Sequence, residues 1–206
     1  MNKPSTSDIA ASKKLSWLLR HGAREADVAL DHEGWASLDE VLQALELSEE
    51  IVLRVVASNE KKRFEVEAST RRIRASQGHS EGIVESETIE STLARLEGQA
   101  LLFLGTQRAH LLQIAEEGLI AMSRTHVHLA SSKDAVVGKR ANVDVLLAID
   151  PAKVRAEGEP LFVSPNGVIL ARRIPASAIV GLDAMTRATR AEEATLRAFF
   201  VGGNAS

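Results

Sequence analysis

Residues 63–80, RFEVEASTRRIRASQGHS, decide how the first half of the chain folds. Two short runs, RFEV and RRIRAS, alternate apolar with polar side chains and flank a Ser–Thr turn, which is the pattern of a β-hairpin. Gln77, Gly78 and His79 follow the second run directly. The stretch therefore predicts two paired strands that lead into a polar loop.

The segments before this hairpin have helical spacing. The runs SKKLSWLLRH, LDEVLQAL and SEEIVLRVVASN repeat apolar residues every three or four positions, and HEGW is typical of a turn. Ser37 and Ser48 stand where the second and third helices begin, so we expect both to be N-caps. Three helices followed by a hairpin form the winged-helix pattern, which often lies on nucleic acid.

The first helix ends in an unusual way, with Arg20, His21 and Gly22 in succession. Gly22 occupies the position of a helix C-cap glycine. In the simplest interpretation Arg20 and His21 only offset the negative end of the helix dipole. A binding role is the alternative, and the rest of the chain must decide between the two.

The second half of the chain has a different composition. Residues 82–97 are polar and acidic and contain no aromatic residue, so we interpret them as a linker. Beyond it ALLFLGT, HVHLA and VDVLLAID are typical of strands, QRAHLLQIAEEGL of a helix closed by Gly118, and AEEATLRAFF of a helix in the tail. LFVSPNGVILARRIP predicts a hairpin that turns at Asn166–Gly167. The expected fold class is α+β, with short, curved sheets in the second domain.

Composition excludes several classes of protein. The chain has 206 residues, of which 45% are hydrophobic and 26% charged, as in ordinary soluble proteins. No apolar span is long enough for a membrane helix, and the start MNKPSTSDIA lacks a signal-peptide core, so we expect a cytoplasmic protein. The absence of cysteine excludes disulfides, thiolate metal sites and a cysteine nucleophile. A net charge of −3 argues against a broadly basic surface but permits a local phosphate pocket.

Basic residues gather at three places, around Arg20, around Arg74 and around Arg124. Arginine suits phosphate oxygens because its planar guanidinium binds two of them at once. His126 and His128 lie on one strand and could ligate zinc, but no third ligand is evident and nearby arginines repel a cation. The G-x-S-x-G, P-loop and G-x-G-x-x-G motifs are absent, so hydrolase, Walker and Rossmann sites are not supported.

Five motifs of this chain resemble, in order and spacing, those of the NAD-dependent RNA 2′-phosphotransferases. They are LSWLLRHGA, LDHEGWASLDEVL, RFEVEASTRRIRASQGHS, MSRTHVHLAS and PNGVIL. The resemblance runs from about Ser12 to Leu182. It implies a winged-helix-like lobe at residues 1–81 that binds the RNA phosphate, a linker at 82–97, and an NAD-binding lobe of the ADP-ribosyltransferase fold at 98–206.

The resemblance also implies a reaction in two steps, with NAD as co-substrate and no metal. An internal 2′-phosphate of RNA, as left by tRNA splicing, attacks the nicotinamide-bearing ribose carbon of NAD and releases nicotinamide. The ribose 2″-hydroxyl then attacks the phosphorus of the ADP-ribosylated RNA. The products are RNA with a 2′-hydroxyl and ADP-ribose 1″,2″-cyclic phosphate.

The catalytic tetrad of the family falls on Arg20, His21, Arg74 and Arg124. A phosphate monoester has a second pKa near ~6 and is mostly dianionic at neutral pH, so it needs positive donors rather than a general base. As a hypothesis, the arginines hold the phosphate and His21 donates a proton or hydrogen bond to the leaving 2′-oxygen. Acidic residues are scarce in the three clusters, which fits an anionic substrate. We expect Gln77 and His79 to bind the RNA as well.

By the same resemblance the NAD site includes Gly105, Thr106, His128 and Val168. One departure is that Leu104 stands where the family has the histidine of a His-Gly-Thr motif. Loss of one hydrogen bond costs about 1–3 kcal/mol, which weakens NAD use without abolishing it. His110 lies near enough in sequence to compensate.

Three functions follow as hypotheses. The first is an active 2′-phosphotransferase, which the complete tetrad favours. The second is a protein that binds phosphorylated RNA and turns NAD over poorly, and the third is an ADP-ribosyltransferase that stops after the first step. A winged-helix regulator leaves the second lobe unexplained. We expect a monomer that acts on RNA carrying a 2′-phosphate and does not bind membranes.

Overall fold

The computed structural model describes residues 5–80, 82–135, 138 and 143–201. The chain forms two compact units: unit 1 is Met1–Thr92 with Ser123–Thr125, and unit 2 is Leu93–Met122 with His126–Ser206. Both units combine helices with antiparallel sheet, so the fold is mixed α and β. No helix within the described ranges is long and apolar enough to cross a membrane.

Unit 1 contains, in chain order, α1 (Thr6–Trp17), β1 (Trp35–Ser37), α2 (Leu38–Leu45), α3 (Glu49–Ser58), β2 (Phe64–Glu67), β3 (Arg72–Ala75) and α4 (Ser86–Ser91). The strands form one antiparallel sheet in the order β1-β3-β2. Both predicted N-caps are confirmed, because the hydroxyls of Ser37 and Ser48 accept hydrogen bonds from the backbone N–H groups of Glu40 and Ile51. The predicted hairpin is confirmed as β2 and β3.

The core of unit 1 lies between these helices and one face of the sheet. Its fully buried side chains include Leu15, Leu18, Leu19, Val41, Val52 and Ile73. Since side chains alternate across a strand, the opposite face of β3 presents Arg72 and Arg74 away from this core.

The prediction of Gly22 as a helix C-cap is wrong. After α1 the chain continues through a π-helical turn, Leu18–Gly22, and Gly22 does not adopt the left-handed conformation of a C-cap glycine. The following residue, Ala23, keeps helical angles, with φ −56 and ψ −45. A β-carbon at residue 22 would collide with the ring of Trp17, so the glycine makes room for that ring.

Unit 2 contains β4 (Ala94–Arg95), β5 (Leu102–Thr106), α5 (Leu111–Glu117), β6 (Leu119–Ile120), β7 (Val127–Leu129), β8 (Val145–Ile149), α6 (Pro151–Ala156), β9 (Phe162–Val163), β10 (Ile169–Ala171), β11 (Arg173–Ile174), β12 (Ile179–Ala184), α7 (Arg187–Ala191) and α8 (Glu193–Val201). The strands pair in the orders β4-β9-β10-β7, β12-β8-β5 and β11-β6. Gly118 closes α5 and Gly167 lies in the turn between β9 and β10, both with positive φ, as the sequence predicts.

The segment interpreted as a linker, residues 82–97, has regular structure. It holds α4 and β4, and β4 pairs with β9. The division between the two compact units falls after Thr92, inside this segment. The winged-helix-like and ADP-ribosyltransferase assignments of the two units stay predictions.

Candidate active site

The π-helical turn sets the direction of the first two candidate residues. Leu18 and Leu19 are fully buried in the core of unit 1, which fixes the turn on that side. Because a π-helical turn is wider than an α-helical one, the next two side chains emerge at angles that a continued α-helix would not give them. These side chains are Arg20 and His21, and π-helical turns occur often at functional sites.

Arg20 is a half-buried cation with unsatisfied donors. Its Nε and Nη2 atoms are buried and have no hydrogen-bond partner among the described residues. Burial, together with the positive charges of Arg124 and Arg63, lowers the pKa of Arg20 to about 10. Buried charges are normally paired, so this guanidinium fits an anion that is bound during function.

His21 stands beside this cation and is held by a serine. Its Nδ1 lies 2.6 Å from the Oγ of Ser80. Partial burial, together with the charges of Arg20 and Arg124, lowers the pKa of His21 below its usual 6.5. The ring is therefore neutral at pH 7 in the unliganded protein, and a bound phosphate dianion would raise its pKa again.

The loop after β3 connects these residues to the third cluster. The backbone N–H of Ser80 donates to the carbonyl of Arg20 at 2.9 Å, and Ser80 forms an isolated β-bridge with Arg124. Next to this bridge the N–H of Thr125 donates to the carbonyl of His79 at 3.2 Å. Segments far apart in sequence thus meet within unit 1, and this brings Arg20, His21 and Arg124 close together.

Arg74 lies on β3, which packs against the π-helical turn, but its guanidinium has an acidic partner. Its Nη2 and Nε donate to Glu65 Oε2 at 2.8 and 3.1 Å, and its guanidinium carbon lies 4.4 Å from the centre of the Trp35 ring. The expectation that carboxylates are scarce near the cluster is wrong at this position. The sequence concealed it because Glu65 lies nine residues away along the chain and faces Arg74 only through strand pairing.

The two residues predicted to bind RNA are largely enclosed. The Oε1 atom of Gln77 is buried and has no hydrogen-bond partner among the described residues. His79 is only 3% exposed, and its ring packs against Gly34, where an added β-carbon would lie 3.0 Å from Nε2. These positions leave the RNA-binding roles of Gln77 and His79 as predictions.

The candidate NAD residues lie in unit 2, where two strands separate. Phe103 of β5 exchanges both backbone hydrogen bonds with Ala130, at 2.9 and 2.8 Å. Continued in register, this antiparallel pair would place Gly105 opposite His128, but β5 and β7 no longer pair there. Since backbone groups alternate in direction, the N–H and C=O of Gly105 face the same side as those of Phe103, away from β8. Among the described residues no strand pairing occupies these Gly105 backbone groups, which leaves them available to a ligand.

The other NAD candidates flank this place. Thr106 is buried at the end of β5, and His128 pairs with Leu170 of β10. Val168 is buried just before β10, and its N–H and C=O both bond to Ser164, so only its side chain remains for a ligand.

The side chain of Leu104 projects from the face of β5 opposite to that of Phe103. It is half-buried against the main apolar core of unit 2, together with Leu102. His110, the residue considered as compensation, is exposed in a short 3-10 turn at Arg108–His110. The structure describes no contact between His110 and Leu104.

Sequence reasoning missed three residues of the site, Trp35, Glu65 and Ser80. Ser80 ends the RIRASQGHS motif, so the motif itself contained the signal. Trp35 and Glu65 are found only by aligning β1 and β2 with β3. No group of three potential metal-ligating side chains occurs among the residues that the structure describes.

Comparison with known proteins gives a consistent result. The profile of the RNA 2′-phosphotransferase, Tpt1/KptA family matches residues 6–173. A protein of Pseudomonas fluorescens named "Probable RNA 2′-phosphotransferase" is 38% identical over 178 residues, which cover 83% of this chain and 95% of the relative. Proteins with the same name from Rhizobium johnstonii and Acaryochloris marina are 38% and 36% identical and cover 82% and 84% of this chain, and 91% and 97% of their own lengths.

Proposed function

Because this chain belongs to the Tpt1/KptA family of RNA 2′-phosphotransferases, we propose that it removes an internal 2′-phosphate from RNA by transferring it to NAD. The observation that carries this proposal is the pair of buried Arg20 nitrogens, Nε and Nη2, that have no hydrogen-bond partner among the described residues and lie beside His21 and Arg124. Such a cluster of positive donors suits a phosphate dianion, which gains charge-assisted hydrogen bonds there.

In the first step an oxygen of the 2′-phosphate forms a bond to the ribose carbon C1″ of NAD, and the bond from that carbon to nicotinamide breaks. The phosphate is already a nucleophile at neutral pH, so the protein need only orient it. In our proposal Arg20, Arg74 and Arg124 orient the phosphate. The pairing of Arg74 with Glu65 and Trp35 keeps its guanidinium in a fixed orientation before the substrate arrives.

In the second step the ribose 2″-hydroxyl bonds through its oxygen to phosphorus and releases its proton to solvent, and the bond from phosphorus to the RNA 2′-oxygen breaks. Negative charge builds on the phosphoryl oxygens, where the arginines stabilise it, and on the leaving 2′-oxygen, which needs a proton. His21 supplies that proton or a hydrogen bond. Its low pKa in the free protein rises once the dianion is bound, so that it becomes an effective donor in the complex.

On the NAD side we propose that Gly105 and Thr106 contact the nicotinamide end and that His128 and Val168 complete the site. The separation of β5 from β7 beside Gly105 supports this assignment. A β-carbon at residue 105 would lie 2.8 Å from Val143, so a glycine is also required by packing.

The direct test uses an oligonucleotide with one internal 2′-phosphate, incubated with and without NAD. NAD-dependent loss of the phosphate, with release of ADP-ribose 1″,2″-cyclic phosphate, is the expected result. Stable ADP-ribosylated RNA as the only product would instead identify an ADP-ribosyltransferase.

One observation favours a second candidate function. Leu104 replaces a polar residue of the family's motif and packs on the apolar core, so a hydrogen bond to NAD is lost. A chain specialised for binding phosphorylated RNA would show tight binding of the oligonucleotide and no conversion at millimolar NAD. That result would replace the phosphotransferase proposal.

A further inference from the structure

We propose that Ser80 is a positioning residue for the second step, because its hydroxyl holds the imidazole of His21 through Nδ1 while its backbone joins the Arg20 and Arg124 segments. The inference rests on the proposed function, since it assigns a role inside that reaction. Ser80 does not need to touch the phosphate for this role.

Two backbone contacts and one side-chain hydrogen bond hold Ser80 in place. Its backbone N–H donates to the Arg20 carbonyl at 2.9 Å, so the serine follows the π-helical turn that carries His21. Its β-bridge to Arg124 ties it to the segment that carries this arginine. The side chain then reaches His21 Nδ1 at 2.6 Å, a short bond for a hydroxyl and an imidazole.

A hydroxyl is the right group for a histidine that changes its protonation state. It donates to Nδ1 when that nitrogen is bare and accepts from it when the imidazolium forms, so the ring keeps its orientation in both states. A carboxylate in this place would favour the imidazolium and would repel the phosphate. With Nδ1 occupied, Nε2 is the nitrogen that exchanges a proton with the substrate.

The second step depends on this orientation more than the first. In the first step the phosphate attacks carbon and no proton has to move. In the second step the RNA 2′-oxygen leaves and needs a proton from a correctly placed donor. Loss of the Ser80 hydroxyl should therefore slow the second step selectively and cause the ADP-ribosylated RNA to accumulate.

The experiment is a single-turnover assay with enzyme in excess over the labelled 2′-phosphorylated oligonucleotide, followed with time for substrate, intermediate and product. For Ser80→Ala we expect the second step to slow roughly 10- to 100-fold, as when a partner that orients a functional histidine is removed, with little change in nicotinamide release. Ser80→Thr, which keeps the hydroxyl, should stay within about threefold of the original chain. Ser69→Ala, at the exposed tip of the hairpin, is the matched control and should change neither step.

A double mutant separates positioning from general disruption. In a His21→Ala background the Ser80→Ala change should have no further effect on the second step, since it acts only through the ring. Additive losses would overturn the proposal, and so would equal slowing of both steps accompanied by a lower unfolding temperature.

The ring itself gives a readout that does not depend on turnover. The imidazole ¹⁵N shifts of the six histidines, with His21 assigned through His21→Gln, report which nitrogen carries the proton. Ser80→Ala should change the balance of the His21 tautomers, and unchanged shifts would overturn the inference. If the original chain fails to convert RNA while these shifts respond, the proposed function fails but the link between Ser80 and His21 stands.

Discussion

At the scale of the single residue, burial and two neighbouring arginines disfavour the positive charge of Arg20. Its folded pKa, about 10, lies below the ordinary value of an arginine, so the folded state binds this proton less tightly than the unfolded chain. The cost is fully present at neutral pH and disappears only as pH rises above about 10. Such a cost is acceptable for a group whose proposed partner is the substrate.

Replacing Arg20 should therefore stabilise the free protein. Arg20→Met fills similar space without charge, and we expect the free energy of unfolding to rise by about 1–3 kcal/mol, while phosphate binding is lost. Denaturant unfolding with and without inorganic phosphate measures both effects, and phosphate should stabilise the original chain but not Arg20→Met. The control is Arg24→Met at an exposed neighbour, expected within about 0.5 kcal/mol. A loss of stability in Arg20→Met would contradict the argument.

His21 predicts a dependence of stability on pH. Its folded pKa is lowered by burial and by Arg20 and Arg124, so below pH 6.5 the unfolded chain binds more protons than the folded one. Stability should fall as pH drops from 7 through this range, and His21→Gln should reduce the fall. Unfolding curves of both proteins between pH 7.5 and pH 5 measure the difference, and parallel curves would refute the lowered pKa.

The carboxylate of Glu65 partly neutralises the positive charge of Arg74. In Glu65→Gln the amide oxygen can still accept from Arg74, but the negative charge next to the proposed phosphate site is removed. Adenosine 2′-monophosphate should bind roughly 3- to 10-fold more tightly at low salt, with a smaller gain at high salt. Glu67→Gln, which affects the neighbouring Arg72 pair, is the control and should give a smaller change in a calorimetric titration.

At the scale of single elements, most of the structure follows from local chemistry. The caps Ser37 and Ser48, the hairpin of β2 and β3 and the turn at Gly167 depend on residues close in sequence, and all were predictable. The π-helical turn was not, because its apolar spacing cannot be distinguished from an α-helix ending at a glycine. The Glu65–Arg74 pair was hidden for another reason, since strand register decides it.

Two glycines with similar positive φ values test how the end of an element is packed. Gly118 and Gly158 have φ values of 78 and 81, yet a β-carbon at residue 118 would run into backbone atoms of Ile174 and Ala176, while one at residue 158 meets open space. Gly158→Ala should cost about 1 kcal/mol through backbone strain alone. Gly118→Ala should cost at least about 2 kcal/mol more, because rigid backbone must move. Thermal unfolding of both variants gives the comparison, and equal losses would show that the packing is irrelevant.

At the scale of the whole molecule, the chain contributes to unit 1 twice. The first 92 residues supply its core and the residues Arg20, His21 and Arg74, whereas Arg124 arrives from the short stretch Ser123–Thr125. The resemblance of motifs predicted the members of this cluster. It could not predict that Ser123–Thr125, which lies between two stretches of unit 2 in the sequence, belongs to unit 1. The reason is that the two units are defined by contacts between residues far apart in the sequence.

A fragment of residues 1–92 tests this division. It contains the whole apolar core of unit 1, so we expect cooperative unfolding by circular dichroism. Its affinity for adenosine 2′-monophosphate should be about 10- to 100-fold below that of the full chain, because one charge-assisted contact is missing. The full chain with Arg124→Gln should match the fragment in this titration. Affinity equal to that of the original chain would exclude Arg124 from the phosphate site.

The returning stretch also sets the order in which the site is completed during synthesis. A ribosome adding roughly 5–20 residues per second needs roughly 2–6 s to pass from Thr92 to Ser123. During that interval the nascent domain already has its apolar core but only part of its set of positive charges. The cluster proposed to bind phosphorylated RNA would then be completed only after residue 124 of the 206, when Leu93–Met122 is the only part of the second unit already made.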